Sequence, residues 1–412
     1  VSPDTVLVVL IAILVGGAAL EQLARALQVR HQPAEPPVEV AAVVDAAAYA
    51  QAQRYARERW RFGLARELVS LAVWLVLIVT GALAGGYALT TQWSGESWLT
   101  PLLFIAAVAL LFDLIDTPFA LVSTFGIETR YGFNRTTPAL FVRDKLTGYA
   151  LASLLGGALL ALVFWTIERW GSDFWIVAAA FAALLLVLLA TFQTSVLLPL
   201  FNRLTPLPAG ELRDAIEAYA RGQGVALGGI FVMDGSKRSN RANAFFSGLG
   251  RQKKVVLFDT LIEHHPVDEV VAVLAHEIGH DRHRHLPQLL AVNVASLTLT
   301  LFVASRFLDA EVLSLALGAE ERVVALNLLM FVLLFAPLQT LIGAVGNALS
   351  RRFEFQADAF AARTASPAAM ANTLRRFVQR DFAMPTAHPL YTWLHLTHPA
   401  PVERIRAIER LR

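Results

Sequence analysis

The run Val273-Leu274-Ala275-His276-Glu277-Ile278-Gly279-His280 holds the residues of this chain best suited to chemistry. Residues four apart share one face of a helix, so His276 and His280 can offer both imidazoles to a single metal ion. Glu277, about 100° further round, can take a proton from a water that the ion polarises. This is the spacing of a zincin helix, and the chemistry it implies is hydrolysis of a peptide bond with one Zn²⁺ per chain. Pro266, followed by Val267, Asp268 and Glu269, supplies the helix start. Proline is preset for a first turn, and the carboxylates face the positive end of the dipole. Three fixed positions in five also arise on helices that merely carry two surface histidines. The small apolar flanks here, and a membrane span a few residues on, argue for chemistry.

Leaving one coordination position open for water requires a third protein ligand. His264, His265, His283 and His285 are close in sequence. A carboxylate on a later helix is the other candidate, since Glu354 and Asp358 again lie four apart in Ser350-Arg351-Arg352-Phe353-Glu354-Phe355-Gln356-Ala357-Asp358. Glu354 could then ligate the metal while Asp358 accepts the outer N–H of a ligating histidine and fixes its tautomer.

The elements that must carry these residues are mostly written for a membrane. The 412 residues are 56% hydrophobic and 17% charged, against roughly a quarter charged in soluble proteins. No cysteine is present, which excludes disulfides, thiol nucleophiles, Cys-held zinc and iron–sulfur clusters. A net charge of +2 is too mild to argue for a nucleic-acid partner. Apolar stretches of a length to cross about 30 Å of hydrocarbon occur at 5–20, 68–90, 98–125, 146–167, 174–201, 286–305 and 323–349. Of the 35 Lys and Arg, 32 fall on alternate connections. That asymmetry places the long middle loop and the C-terminal segment in the cytoplasm and the N-terminus outside. The lack of positive charge before Thr5 points to an uncleaved anchor. Three prolines make 31–39 a linker, and 40–67 reads as an Ala- and Arg-rich helix. Residues 202–285 read as a small mixed domain, with a helix at 211–221, strands at 229–233 and 254–258, and an edge strand at 242–246. The expected fold is an all-α multi-pass membrane protein of about seven transmembrane helices with a small cytoplasmic zincin-like α+β domain. Its parts are a five-span region 1–201, a catalytic domain 202–285, two spans in 286–349 and a closing segment 350–412. Asp113 and Asp116 fall inside the third span, where a charge is costly and must face a cavity, find a partner or reach the interface.

With both sites in view, the chain resembles the type I CAAX prenyl endopeptidases, membrane zinc proteases of the gluzincin class. The likeness rests on Tyr131-Gly132-Phe133-Asn134-Arg135-Thr136 with Asp144-Lys145, on Asn243-Ala244-Phe245-Phe246-Ser247-Gly248, on the His276–His280 helix, on Glu354 to Asp358, and on His398-Pro399 with Arg404. It implies that His276, His280 and Glu354 bind zinc and that Glu277 is the base. It further implies that Asp358 supports a ligand and that Asn243 and Ala244 hold the substrate backbone on an exposed strand edge. His398 and Arg404 are implied to stabilise the oxyanion or the substrate's C-terminus. Asp281 departs from the pattern, which commonly has an aromatic residue there. The substrate implied is a peptide or protein, prenylated or membrane-associated, cut near its C-terminus, with membrane lipid as the surroundings. A count of 31 Arg against 4 Lys in an Ala-rich chain suggests a bacterial source and hence an inner membrane with the site on its cytoplasmic side. The rival readings are a quality-control protease without prenyl specificity, an inactive scaffold that keeps the fold, and a transporter built around Asp113 and Asp116.

Overall fold

The structure, a computed structural model, describes residues 1–192, 196–247 and 253–411. Its principal helices are α1 (Pro3–Arg30), α2 (Ala46–Val79), α3 (Ala82–Ser94), α4 (Thr100–Leu121), α5 (Pro138–Leu151), α6 (Gly157–Trp170), α7 (Phe174–Phe192), α8 (Glu211–Gly222), α9 (Val267–Arg282), α10 (His285–Phe307), α11 (Val324–Thr364), α12 (Pro367–Asp381) and α13 (Pro401–Glu409). The strands are β1 (Leu204–Pro206), β2 (Leu227–Met233), β3 (Ala244–Ser247) and β4 (Lys253–Phe258).

Among the described residues, six stretches are long and apolar enough to cross a membrane: Pro3–Arg30, Ala46–Val79, Thr100–Glu128, Pro138–Phe192, His285–Phe307 and Val324–Thr364. The fourth has 55 residues, about 80 Å as a straight helix, far beyond a hydrocarbon core. Gly171, at φ 54, folds it back between α6 and α7, so this stretch contains two of the seven expected crossings. The expected span 174–201 runs through residues 193–195, which lie outside the described residues.

The second span differs from its expected place. Helix α2 starts at Ala46, where the Asp45 side chain accepts from Ala48 N–H at 2.7 Å, and continues unbroken to Val79. The helix expected at 40–67 and the first half of the span expected at 68–90 are therefore one rod. It stops because Thr80 turns its hydroxyl onto the Val76 carbonyl, 2.7 Å away, and Gly81 adopts φ 71. A Cβ on Gly318 would lie 3.1 Å from Gly81 Cα, so two glycines meet at this turn. The remaining apolar residues form α3, which packs back on α4 through Tyr87 and Phe104, ring centroids 5.4 Å apart.

The intramembrane aspartates are paired. Asp116 takes a two-pronged ion pair from Arg66 of α2, at 2.8 and 2.5 Å, and Asp113 is held by Lys145 at 2.8 Å and by the Tyr149 hydroxyl. A proline inside each of α4 (Pro118) and α11 (Pro337) removes one helix hydrogen bond. Beyond Pro118 the chain loosens into a π-helical stretch, Val122–Glu128. Pro337 lies against Gly17 of α1, where a Cβ would come within 2.8 Å of the ring.

The part outside the long apolar helices holds a four-stranded sheet in the order β1-β2-β4-β3, with β2 and β4 parallel and the outer pairs antiparallel. The sheet residues found at 227–233 and 253–258 match the expected strands closely, and β3 does lie at an edge. Its paired residues begin at Ala244, two later than expected. The three-residue β1 carries too little pattern to be seen in advance. Helix α9 sits on this sheet by the stripe Val270, Leu274 and Ile278, which is buried with Ile230, Val255 and Leu257. Its opposite side, through Ala272 and Ala275, meets Ala361 of α11 and Met370 and Leu374 of α12. That sandwich sets the faces of α9, and the histidines follow from it.

Candidate active site

Helices α9 and α11 cross at Gly279. A Cβ there would lie 3.0 Å from Ala357 Cα, 3.2 Å from Ala357 O and 3.2 Å from Phe360 Cβ. Only glycine admits this approach, and the approach brings Glu354, one turn before Ala357 on α11, onto the histidine face of α9. The result is a compact group: His276 Nε2 lies 3.1 Å from His280 Nε2 and 3.4 Å from Glu354 Oε2, and His280 Nε2 lies 3.3 Å from Glu354 Oε1.

These three separations test whether the residues fit an ion. A tetrahedral ion with bonds of about 2.0–2.1 Å separates its ligand atoms by about 3.3 Å, which all three spacings match to within 0.2 Å. Glu354 is 3% exposed, and its Oε2 is buried without a hydrogen-bond partner. A buried carboxylate oxygen in that condition draws positive charge, which Arg404 Nη1, 3.3 Å away, supplies in part and a bound cation would complete. Among the described residues no other set of three His, Asp or Glu groups converges in this way.

Further side chains hold the three in place. Asp358, 1% exposed, puts Oδ1 2.9 Å from His276 Nδ1, so the nitrogen facing away from the group is answered by a carboxylate. His285 does the same for the second histidine: its Nδ1 is 2.9 Å from His280 Nδ1, its Nε2 is 2.9 Å from Gln356 Oε1, and its ring stacks on Phe353 at 4.0 Å. Sequence reasoning counted His285 only among possible third ligands; the structure places it behind His280. His265 is likewise engaged elsewhere, 2.9 Å from Glu269, and His283 stacks on His285. Asp281, the departure noted in the sequence, takes an ion pair from Lys253 Nζ at 2.6 Å, which ties the start of β4 to the end of α9.

Burial works against a charged His276, yet the carboxylates of Asp358 and Glu354 outweigh it and lift the imidazole to about 9. The pocket thus has a strong preference for positive charge. Burial also raises Glu277 above the ordinary glutamate range, partly opposed by His276 and His280 and by a hydrogen bond from the Phe246 backbone. A raised Glu277 suits a group that must accept a proton near neutrality.

Arg404, expected beside the substrate, is 8% exposed and spends two nitrogens on Asp358, at 2.7 and 2.6 Å. Its Nη1 lies 3.3 Å from Glu354 Oε2. It therefore backs the ligand group. His398, by contrast, is open, with a side chain 61% exposed and Nε2 3.2 Å from Glu354 Oε1. Asn243 is exposed at the head of β3, with its side-chain oxygen 2.8 Å from Ala244 N. Gly248, the last residue of the edge-strand motif, lies outside the described residues. A cavity of about 960 Å³ reaches from His398, Pro399 and Arg404 to Tyr55, Trp60, Arg66 and Asp116 on the membrane helices.

A buried two-histidine, one-glutamate group beneath an exposed strand edge, joined to a chamber among membrane helices, defines an integral-membrane metallopeptidase. The chain matches the family description "CAAX prenyl protease N-terminal, five membrane helices" over residues 26–203 and "Peptidase family M48" over 206–412. It is 32% identical over 383 residues to an Arabidopsis thaliana protein named CAAX prenyl protease 1 homolog, covering 90% of each chain. It is 26% identical to the Homo sapiens protein of that name, covering 91% of this chain and 89% of the relative. The crystal structure of Ste24p from S. mikatae superposes with a TM-score of 0.93 at 26% identity, covering 98% of this chain and 99% of that one. The chain belongs to peptidase family M48, in the branch that carries the five-helix CAAX prenyl protease N-terminal region. It is a metallopeptidase whose substrate is a peptide or protein.

Proposed function

We propose that the protein is a zinc endopeptidase of a bacterial cytoplasmic membrane that removes the last three residues of prenylated CAAX-type substrates on the cytoplasmic side. The observation that carries this reading is the set of three ligand spacings, 3.1, 3.3 and 3.4 Å, on two nitrogens and a carboxylate. It is the donor set of His-rich catalytic zinc sites with one position left open. The names of the relatives and the five-helix region support the substrate class. The charge asymmetry of the loops and the Arg-rich, Lys-poor composition support the side and the source. We divide the chain by role as expected from sequence: 1–201 and 286–349 enclose the chamber, 202–285 carries the catalytic helix, and 350–412 completes the site.

His276, His280 and Glu354 would hold the zinc, which supplies Lewis acidity to the scissile carbonyl and to water. Glu277 takes the proton of the attacking water and returns it to the leaving amine. Ala244 and Asn243 pair with the substrate backbone along the free edge of β3. His398, open to the cavity beside Glu354, donates to the oxygen that becomes negative in the transition state. Asp358 and Arg404 position His276 and Glu354 from behind. The test is metal content of the detergent-purified protein together with the mass of the fragment released from a farnesylated CAAX peptide. Stoichiometric zinc and a released tripeptide are expected, with Glu277→Gln keeping the zinc and losing about 10²–10⁴-fold in rate. Equal cleavage of plain and farnesylated peptides would refute prenyl specificity, and a purified protein that binds no zinc would refute the whole reading.

A further inference from the structure

Three observations at the head of β3 point to the same ligand. The first is where the free edge of the strand ends. Phe258 N–H donates to the Asn243 carbonyl at 3.0 Å, so Asn243 faces β4. Residues alternate edges along an antiparallel strand, which turns the backbone groups of 242, 244 and 246 outward. Phe246 N–H faces Glu277, and Ala242 N–H faces the carboxylate of Asp381. Ala244 N–H donates to the Asn243 side-chain oxygen at 2.8 Å, so the Ala244 carbonyl is the outward group left to a substrate strand, and the Asp381 carboxylate closes the edge at Ala242.

The second observation is a wall at that point. Phe382 follows Asp381 in a left-handed conformation, φ 53, and its ring is boxed by Tyr55, Tyr131 and Phe133 with centroids 5.9, 6.4 and 5.1 Å away. A groove that ends in a wall suits the end of a chain better than a chain passing through.

The third observation is Arg241, which lines the cavity with His398, Arg404 and Phe382. Its Nη2 donates to the Tyr55 hydroxyl at 2.6 Å and lies 3.8 Å from Glu128 Oε2, its guanidinium covers the Phe133 ring at 4.6 Å, and its carbonyl accepts from Thr260 at 2.8 Å. Nε is buried and has no partner. Glu128 is shared with Tyr55 and Arg59, so the guanidinium is held still through Nη2 while Nε stays unpartnered.

We infer that Arg241 binds the C-terminal carboxylate of the substrate and thereby sets the length of the released peptide. The inference rests on the proposed function and adds the group that recognises the substrate's end. With the residue before the scissile bond opposite Ala244 in an antiparallel register, the residues after it step back along 243, 242 and 241, so the third falls beside Arg241. Three extended residues span about 10 Å, and a guanidinium N–H answers a carboxylate with a charge-assisted hydrogen bond.

The test compares a farnesylated peptide ending in a free acid with the same peptide ending in an amide, using full-length protein in detergent. Binding is measured in the Glu277→Gln background with and without Arg241→Gln, and released fragments are weighed in the active background. The acid is expected to bind about tenfold more tightly than the amide. Arg241→Gln should bring that ratio close to one with amide affinity unchanged, and Arg241→Lys should keep part of it. Lengthening the peptide by one C-terminal residue should shift the cut by one residue in the parent protein and give mixed cuts in Arg241→Gln. An acid-to-amide ratio near one in the parent, or one that Arg241→Gln leaves intact, overturns the inference while leaving the proposed function standing. Failure of the parent to bind or cut either peptide overturns the proposed function and the inference with it.

Discussion

Gly279→Ala adds one methyl group at the crossing of α9 and α11, and the structure sets what it must do. The new Cβ would meet Ala357 Cα at 3.0 Å, Ala357 O at 3.2 Å and Phe360 Cβ at 3.2 Å. None of these is the far end of a flexible side chain. Carbon atoms settle at about 3.5–4.0 Å, so the two helices must part by about half an ångström or more. The ligands are divided across that crossing, with two histidines on α9 and Glu354 on α11. Metal bonds hold to within about 0.2 Å, so the parting converts a three-ligand group into a two-ligand one. The gain in helix propensity, about 1 kcal/mol, works against an overpacking cost of about 1–3 kcal/mol, leaving stability nearly unchanged or modestly lower while metal affinity falls. We expect at least a tenfold weaker zinc affinity by competition with a chelator, and a parallel loss of peptide cleavage. Gly346→Ala, on α11 with nothing within 4 Å of its would-be Cβ, is the control and should bind zinc like the parent. Gly279→Ala with parental zinc affinity would refute the argument that this approach assembles the site.

Three further outcomes follow from the same geometry. Asp358→Asn should weaken metal affinity by about 10–100-fold and lower the thermal midpoint as well, because Arg404 is left buried against a neutral amide; an unchanged midpoint would count against the buried pair. His285→Phe keeps the stack on Phe353 and loses the contact with His280; weaker metal binding in a protein of unaltered midpoint is expected, and parental affinity would show that His280 needs no support. Asp381 is pushed up to about 6 by burial, against an ordinary 3.8. The folded protein thus holds this proton more tightly than the unfolded chain, and the stabilisation, present in acid, is lost as pH climbs through 6. Asp381→Asn should therefore raise the thermal midpoint at pH 7.5, by an energy of at most about 3 kcal/mol, and leave it unchanged near pH 4; equal shifts at both would contradict a buried ionisation.

The ligand group was legible because its chemistry demands residue types at helical spacing. His276 and His280 share a face by arithmetic alone, and so do Glu354 and Asp358; only their meeting needed the fold. The resemblance supplied the pairing of the two segments, and Gly279 supplies its physical cause. The supports were harder to see. His285 has the same residue type as a ligand, and its place behind His280 depends on the left-handed Arg284, φ 56, that turns the chain between α9 and α10. Arg404 reads as an open charge in a C-terminal helix until Asp358 is placed beside it. In the membrane region the apolar runs announced crossings but not where they stop. The break at Thr80 and Gly81 comes from one hydroxyl and one positive φ inside an otherwise continuous apolar stretch. The pairs Arg66–Asp116 and Lys145–Asp113 join residues 50 and 32 positions apart, which no local pattern records.

Helix α11 runs 41 residues from Val324 to Thr364 without interruption, about 60 Å, or twice the depth of a bilayer's hydrocarbon. Its first half answers to lipid and its second half carries Glu354. A bilayer thinner or thicker than the apolar half is met by tilting, and from Pro337 to Glu354 the lever is about 25 Å, so one degree of tilt swings the carboxylate about 0.4 Å. Because α9 is fastened to α11 at Gly279, the whole zinc cradle swings as a unit and keeps its shape. The substrate strand goes with it, because α9 lies on the sheet through Val270, Leu274 and Ile278 and β3 is paired to β4 in that sheet. A change of tilt is therefore taken up outside the cradle, where Asn240 and Arg238 meet the loop after α4.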